Sequence, residues 1–110
     1  MVAETVLLDQ MLSQVKKGVG FLIRTDGTIT PYNTSTSDGS YNFRQLKDDI
    51  GASYGELVYL SKEVIMVCDE EGLLMEKPIN VHATVLYREK FHVNSIIVGD
   101  VVICHTTGIK

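Results

Sequence analysis

Leu7, Leu8, Met11, Leu12 and Val15 recur at the three-and-four spacing of one helix face, while Asp9, Gln10, Ser13 and Gln14 fall elsewhere. This predicts an amphipathic helix over 3–17. Lys16 and Lys17 suit the negative end of its dipole, and Gly18 can adopt the left-handed conformation that stops it. In 19–33 the spacing shortens to that of strands around Asp26-Gly27, a hairpin signal of the type I′ kind. Pro31 cannot donate to a ladder, so the second strand of that hairpin is expected to lie at an edge or to end there.

The polar stretch 34–42 reads as a loop, and Asn42 to Gln45 has the spacing of a capping box. A short helix follows, with Phe43, Leu46 and Ile50 inward and Gly51 as its stop. Leu57 to Leu60 and Val64 to Cys68 form a second hairpin around Lys62-Glu63. Its strands are continuously apolar, which predicts a central position covered on both faces.

The run 81–89 fits a strand by alternation (Val81, Ala83, Val85, Tyr87) or a helix by its Val81, Val85 and Leu86 face. Asn80 as an amino-terminal cap, with Arg88 and Lys90 at the far end, favours the helix. A last strand covers Val101 to Cys104, and Gly99-Asp100 either interrupts it or marks its start. The expected architecture is α+β: a mainly antiparallel sheet of about five strands, two hairpins plus a C-terminal strand, packed on one side by two or three helices. The domain division is an N-terminal helix at 1–18 and a single α+β domain at 19–110.

Composition narrows the function classes. With 110 residues, 45% of them hydrophobic, the chain has the size and content of one globular domain. No apolar run approaches the ~20 residues that span a bilayer, so no membrane association is expected. The first residues lack a basic leader, and Glu4 and Asp9 interrupt the apolar part, which favours a cytoplasmic protein over a secreted one. A net charge of −4 with dispersed acidic residues argues against nucleic-acid binding, which needs a basic stripe, and against DNA mimicry. Cys68 and Cys104 each close an apolar run, as buried reduced thiols do.

The densest cluster of chemistry-bearing residues is "VCDEEGLLMEKPINVHAT", residues 67–84. Asp69, Glu70 and Glu71 are consecutive, so in an extended chain they alternate in direction rather than converge. A calcium loop would carry further ligands at alternating positions, and none follow. The stretch therefore reads as a solvated turn, with Gly72 supplying unusual backbone angles, followed by a helix start. His82, His92 and His105 share no ligand spacing with one another or with the cysteines. No catalytic residue, metal site or cofactor is expected.

"VIMVCDEEG", "KPINVHATVLY" and "IVGDVVI" together resemble a family of small uncharacterised domains of phages, plasmids and large DNA viruses, domain of unknown function 3846. The resemblance spans about Val19 to Cys104 and is carried by Gly72, Pro78, Asn80, Ala83, Tyr87, Gly99 and Asp100. It implies no activity, but it implies a viral or mobile-element setting, hence the cytoplasm of a host. The expected function is a non-enzymatic module binding a host protein or itself, with Leu8, Met11, Leu12 and Val15 as the candidate interface. The alternative is a small-molecule binder, for instance for a nucleotide, using the 34–42 loop and the helix start, with Ser40, Asn42, Asn80 and Tyr87 as contacts.

Overall fold

In chain order the elements are α1 (Val2–Ser13), β1 (Phe21–Ile23), β2 (Ile29–Pro31), α2 (Phe43–Ile50), β3 (Gly55–Tyr59), β4 (Val64–Asp69), α3 (Val81–Phe91) and β5 (Val101–His105). The computed structural model describes residues 2–106 and 109, and for residues 2–6 the backbone alone. Among the described residues, five strands form one antiparallel sheet in the order β2-β1-β5-β4-β3. This is the α+β arrangement the patterns predict.

Alternation along β4 and β5 sorts the core into two layers. Met66, Cys68, Val101 and Ile103 face α1 and α3, where Leu8, Met11, Ala83 and Leu86 meet them. Ile65, Val67, Val102 and Cys104 face the other way, onto Leu46 and Ile50 of α2. Helices therefore cover both faces rather than one side. The chain dictates this through β5, in which all of Val101 to Cys104 are buried and neither face can be left to solvent. Because Leu8 and Met11 lie in the first layer, α1 packs as part of the same core as the sheet.

Several local expectations change. α1 ends at Ser13 instead of continuing to 17: Gln14 and Val15 bond back three residues, to Met11 and Leu12, and Lys16 then pairs with Val19. At the first hairpin only Gly27 has positive φ, at 92°. Gly27 N donates to Arg24 O and Arg24 N to Thr28 O, a type I turn closed by a glycine bulge, not type I′. Asp26 stabilises that form by accepting from the Thr28 amide and hydroxyl, and those bonds hold its carboxyl below the ordinary range.

β2 is an edge strand, as Pro31 requires, but β3 is the opposite edge and only β4 of the second hairpin is interior. Asn42 caps α2 by accepting from Gln45 N at 3.1 Å. The reciprocal half of the capping box is missing, because the Gln45 side chain bonds forward to Asp49. Gly99 (φ 79°) precedes β5 and marks its start.

Candidate functional site

The turn after β4 differs most from its sequence reading. Asp69 is not solvated: its side chain is 3% exposed and its Oδ2 lies 2.6 Å from Lys77 Nζ. Its Oδ1 accepts from Glu71 N. Lys77 also donates to the carbonyls of Gly51 and Ile50, tying the turn to the end of α2. Gly72 is needed for close approach rather than for a positive φ, since a Cβ there would lie 2.7 Å from Val98 Cγ2. The residue with the left-handed backbone is Glu76, at φ 55°. Backbone bonds Gly72 to Asp69, Met75 to Glu71 and Lys77 to Gly72 close the segment. On this tied turn Leu73, Leu74 and Met75 are 66%, 81% and 67% exposed.

Asn80 is fully buried. Its Oδ1 accepts from Ala83 N at 3.1 Å, and its Nδ2 donates to Ile23 O and Gly99 O. The side chain is occupied by the fold and presents nothing to a ligand. Near it lie several of the positions that carry the family resemblance: Pro78 O accepts from Gly99 N, and Asp100 Oδ1 accepts from Thr25 N. Tyr87 stacks at a tilt on Phe91 and packs on the α1/α3 layer, away from Tyr41 in the α2 layer.

Ser40 and Asn42 do come together. They line an open groove of about 470 Å3 with Tyr32, Thr34, Tyr41, Gln45 and Asp49 among its walls. Tyr32 stacks on Tyr41 with ring centres 5.7 Å apart and donates its hydroxyl to Asp49, while Tyr41 donates to Tyr32 O. Burial raises both phenols above their ordinary value, Tyr41 to about 12, with the Asp49 carboxylate adding to the effect on Tyr32. Among the described residues that line it, none is basic.

Of the four residues singled out by pattern for the first helix, Leu8 and Met11 are buried, and Leu12 and Val15, the latter just beyond the end of α1, pack partly buried beside them. Leu8 and Leu12 also line a smaller apolar groove of about 190 Å3 between α1 and α3.

The remaining chemistry is dispersed. Cys68 and Cys104 are free and buried in opposite layers of adjacent strands, and burial pushes each thiol up to about 12. His82 lies in the first turn of α3 beside the Gly27 turn. Among the described residues no three His, Cys, Asp or Glu side chains come together as a metal site would require. No helix among them is long and apolar enough to cross a membrane.

The sequence signal for the exposed apolar turn was present as "GLLMEK", three large apolar residues with neither strand nor helix periodicity. The Lys77 contacts that tie it down were not visible, because they join segments 26 and 27 residues apart. A family model described as "Domain of unknown function (DUF3846)" matches residues 19–109, so the chain belongs to that family. No curated protein and no solved structure matches it.

Proposed function

For this member of the DUF3846 family, we propose a non-enzymatic binding module that docks on another protein through the turn at Leu73, Leu74 and Met75. The observation that supports this reading is the exposure of three consecutive large apolar side chains on a turn tied down by Lys77 and Asp69. An apolar group held in water gains about 1.5–3 kcal/mol when buried, and a tied loop loses little freedom on binding. Contiguous exposed apolar surface on a folded domain marks an interaction site more often than chance would place it there. In the viral or mobile-element setting implied by the family resemblance, the partner is a protein of the host and the compartment its cytoplasm.

The test is capture from host lysate by the wild type and by a Leu73→Ser, Leu74→Ser, Met75→Ser variant, with melting temperature as the control for folding. The expected result is a saturable partner whose affinity falls more than about a hundredfold in the folded variant, as several kcal/mol of lost burial implies. Equal capture by both proteins, or no saturable partner, defeats the reading.

A second reading rests on the groove around Tyr32 and Tyr41. Its hydroxyls, amides and the Asp49 carboxylate favour a small neutral or cationic polyol over a nucleotide, whose phosphates Asp49 would repel. Calorimetry with sugar and nucleotide panels separates the two, and flat traces for both remove the groove as a binding site.

A further inference from the structure

The two edges of the sheet are built differently. β2 has three residues and ends in Pro31, so it offers a short ladder and lacks a donor at its end. β3 has five residues, Gly55-Glu56-Leu57-Val58-Tyr59, without proline or lysine, and Leu57 and Tyr59 are 38% and 58% exposed. Exposed, regular edges of this kind pair with further strands unless something blunts them.

The hydrogen-bond parity of β3 is fixed by its partner β4. Leu60 N donates to Val64 O, and Tyr54 O accepts from Glu70 N. In the same antiparallel register Glu56 lies opposite Cys68 and Val58 opposite Met66. Bonding alternates along a strand, so the backbones of Tyr54, Glu56, Val58 and Leu60 point inward to β4. Those of Gly55, Leu57 and Tyr59 point to the open edge.

We propose that β3 pairs with β3 of a second copy of this chain about a two-fold axis at Leu57, joining the two sheets into one. In that register Leu57 exchanges both backbone bonds with Leu57 of the second copy, and Gly55 exchanges both with Tyr59. Every outward N–H and C=O of the strand is satisfied. Parity also allows an axis at Glu56 or Val58, but within the strand the first leaves Tyr59 without a partner and sets two Glu56 carboxylates opposite each other, and the second leaves Gly55 unpaired. An axis at Gly55 or Tyr59 would leave part of the strand unpaired.

Charge and shape agree with the Leu57 axis. Glu56 faces Val58, so no like charges stand directly opposite. On the α2 side the ring of Tyr59 falls over Gly55, beside Phe43, which already lies close enough that a Cβ at Gly55 would meet its Cζ at 2.9 Å. An aromatic ring across from an edge glycine covers backbone that would otherwise be wet. The interface is isologous and closes as a dimer without propagating.

Native mass spectrometry of the full chain tests the state, and two cysteine variants test the register. The wild type is expected as a dimer at micromolar concentration. Leu57→Pro is expected to be monomeric with an unchanged circular dichroism spectrum, because the N–H it removes is not used by β4; Leu57→Lys, which sets two ammonium groups opposite each other, gives the same answer if the proline variant misfolds. Leu57→Cys is expected to form a disulfide-linked dimer on mild oxidation, since facing residues in such a pair stand about 5.5 Å apart. Glu56→Cys is expected not to link, its own copy being diagonal at about 7–8 Å. The buried native thiols leave the background low. A wild-type monomer, a dimer untouched by both Leu57 variants, or Glu56→Cys linking as readily as Leu57→Cys overturns the proposal, the first leaving the edge to a foreign strand.

Discussion

Asn80 donates through Nδ2 to the carbonyl of Ile23, 57 residues earlier in the chain, at 3.0 Å. The same amide bonds Gly99 O, and its oxygen caps α3 at Ala83 N. One side chain thus joins the start of a helix to β1 and to the turn before β5. Asn80→Ala is expected to cost about 3 kcal/mol or more, from a lost cap and two unsatisfied buried carbonyls. Asn80→Asp keeps the cap but turns an oxygen toward both carbonyls, and should cost at least as much. Urea unfolding measures both, and a loss under about 1 kcal/mol would mean that water replaces the amide.

Lys77 and Asp69 predict an asymmetry. Lys77→Met removes the donor to Gly51 and Ile50 and leaves a carboxylate that is 3% exposed without its cation. Asp69→Asn leaves the ammonium, 20% exposed, still bonded to two carbonyls. The lysine variant should lose about 2–4 kcal/mol and the asparagine variant less than half of that. Equal losses in denaturant melts would show that the ion pair alone, and not the tie to α2, holds the turn.

α1 offers a contrast between neighbours. Leu8 is 2% exposed within the core and Leu7 is 65% exposed. Leu8→Glu, alone or with Leu12→Glu, should unfold the protein or cost more than about 4 kcal/mol, whereas Leu7→Glu should stay within about 0.5 kcal/mol of wild type. A folded Leu8→Glu variant would show that the helix can undock from the sheet.

The thiols set a pH limit. Cys68 and Cys104 are pushed up to about 12 by burial, and their ordinary value is 9.0. The folded state therefore holds protons that the unfolded chain releases, so their contribution is fully present below pH 9 and is lost as pH climbs toward 12. Folded protein at pH 8 should resist iodoacetamide at both sites, and the urea midpoint should fall steadily above pH 9. Replacing both thiols, Cys68→Ala with Cys104→Ala, should flatten that fall; an unchanged slope in the double variant would assign it to Tyr32 and Tyr41, whose hydroxyls are raised in the same direction.

What the sequence disclosed were the local choices. The caps Asn42 and Asn80, the stop at Gly51 and the edge position of Pro31 each follow from the chemistry of one residue and its near neighbours. The run 81–89, ambiguous by periodicity, lies in the helix that the Asn80 cap favours. Hidden were relations between distant segments: β3 at the margin, helices on both faces, and Lys77 reaching α2. An apolar run looks the same in an edge strand as in an interior one, because the pattern records side chains and not which backbone bonds find partners. Within the candidate contacts, Ser40 and Asn42 share a groove that the polar loop foreshadowed. Asn80 and Tyr87 do not join them, since one is consumed by the core and the other lies on the far layer.

The position of β5 has a consequence for synthesis. β1-β2 and β3-β4 are local hairpins, yet among the described residues no ladder connects them except through residues 101–105, which pair with β1 on one side and β4 on the other. A nascent chain that has reached α3 owns both hairpins and all three helices but has an empty slot where the centre of the sheet belongs. Val101 to Cys104 fill both layers of that slot at once. Until the fifth strand is available the two hairpins share no ladder, so the sheet is expected to close cooperatively when residues 101–105 pair.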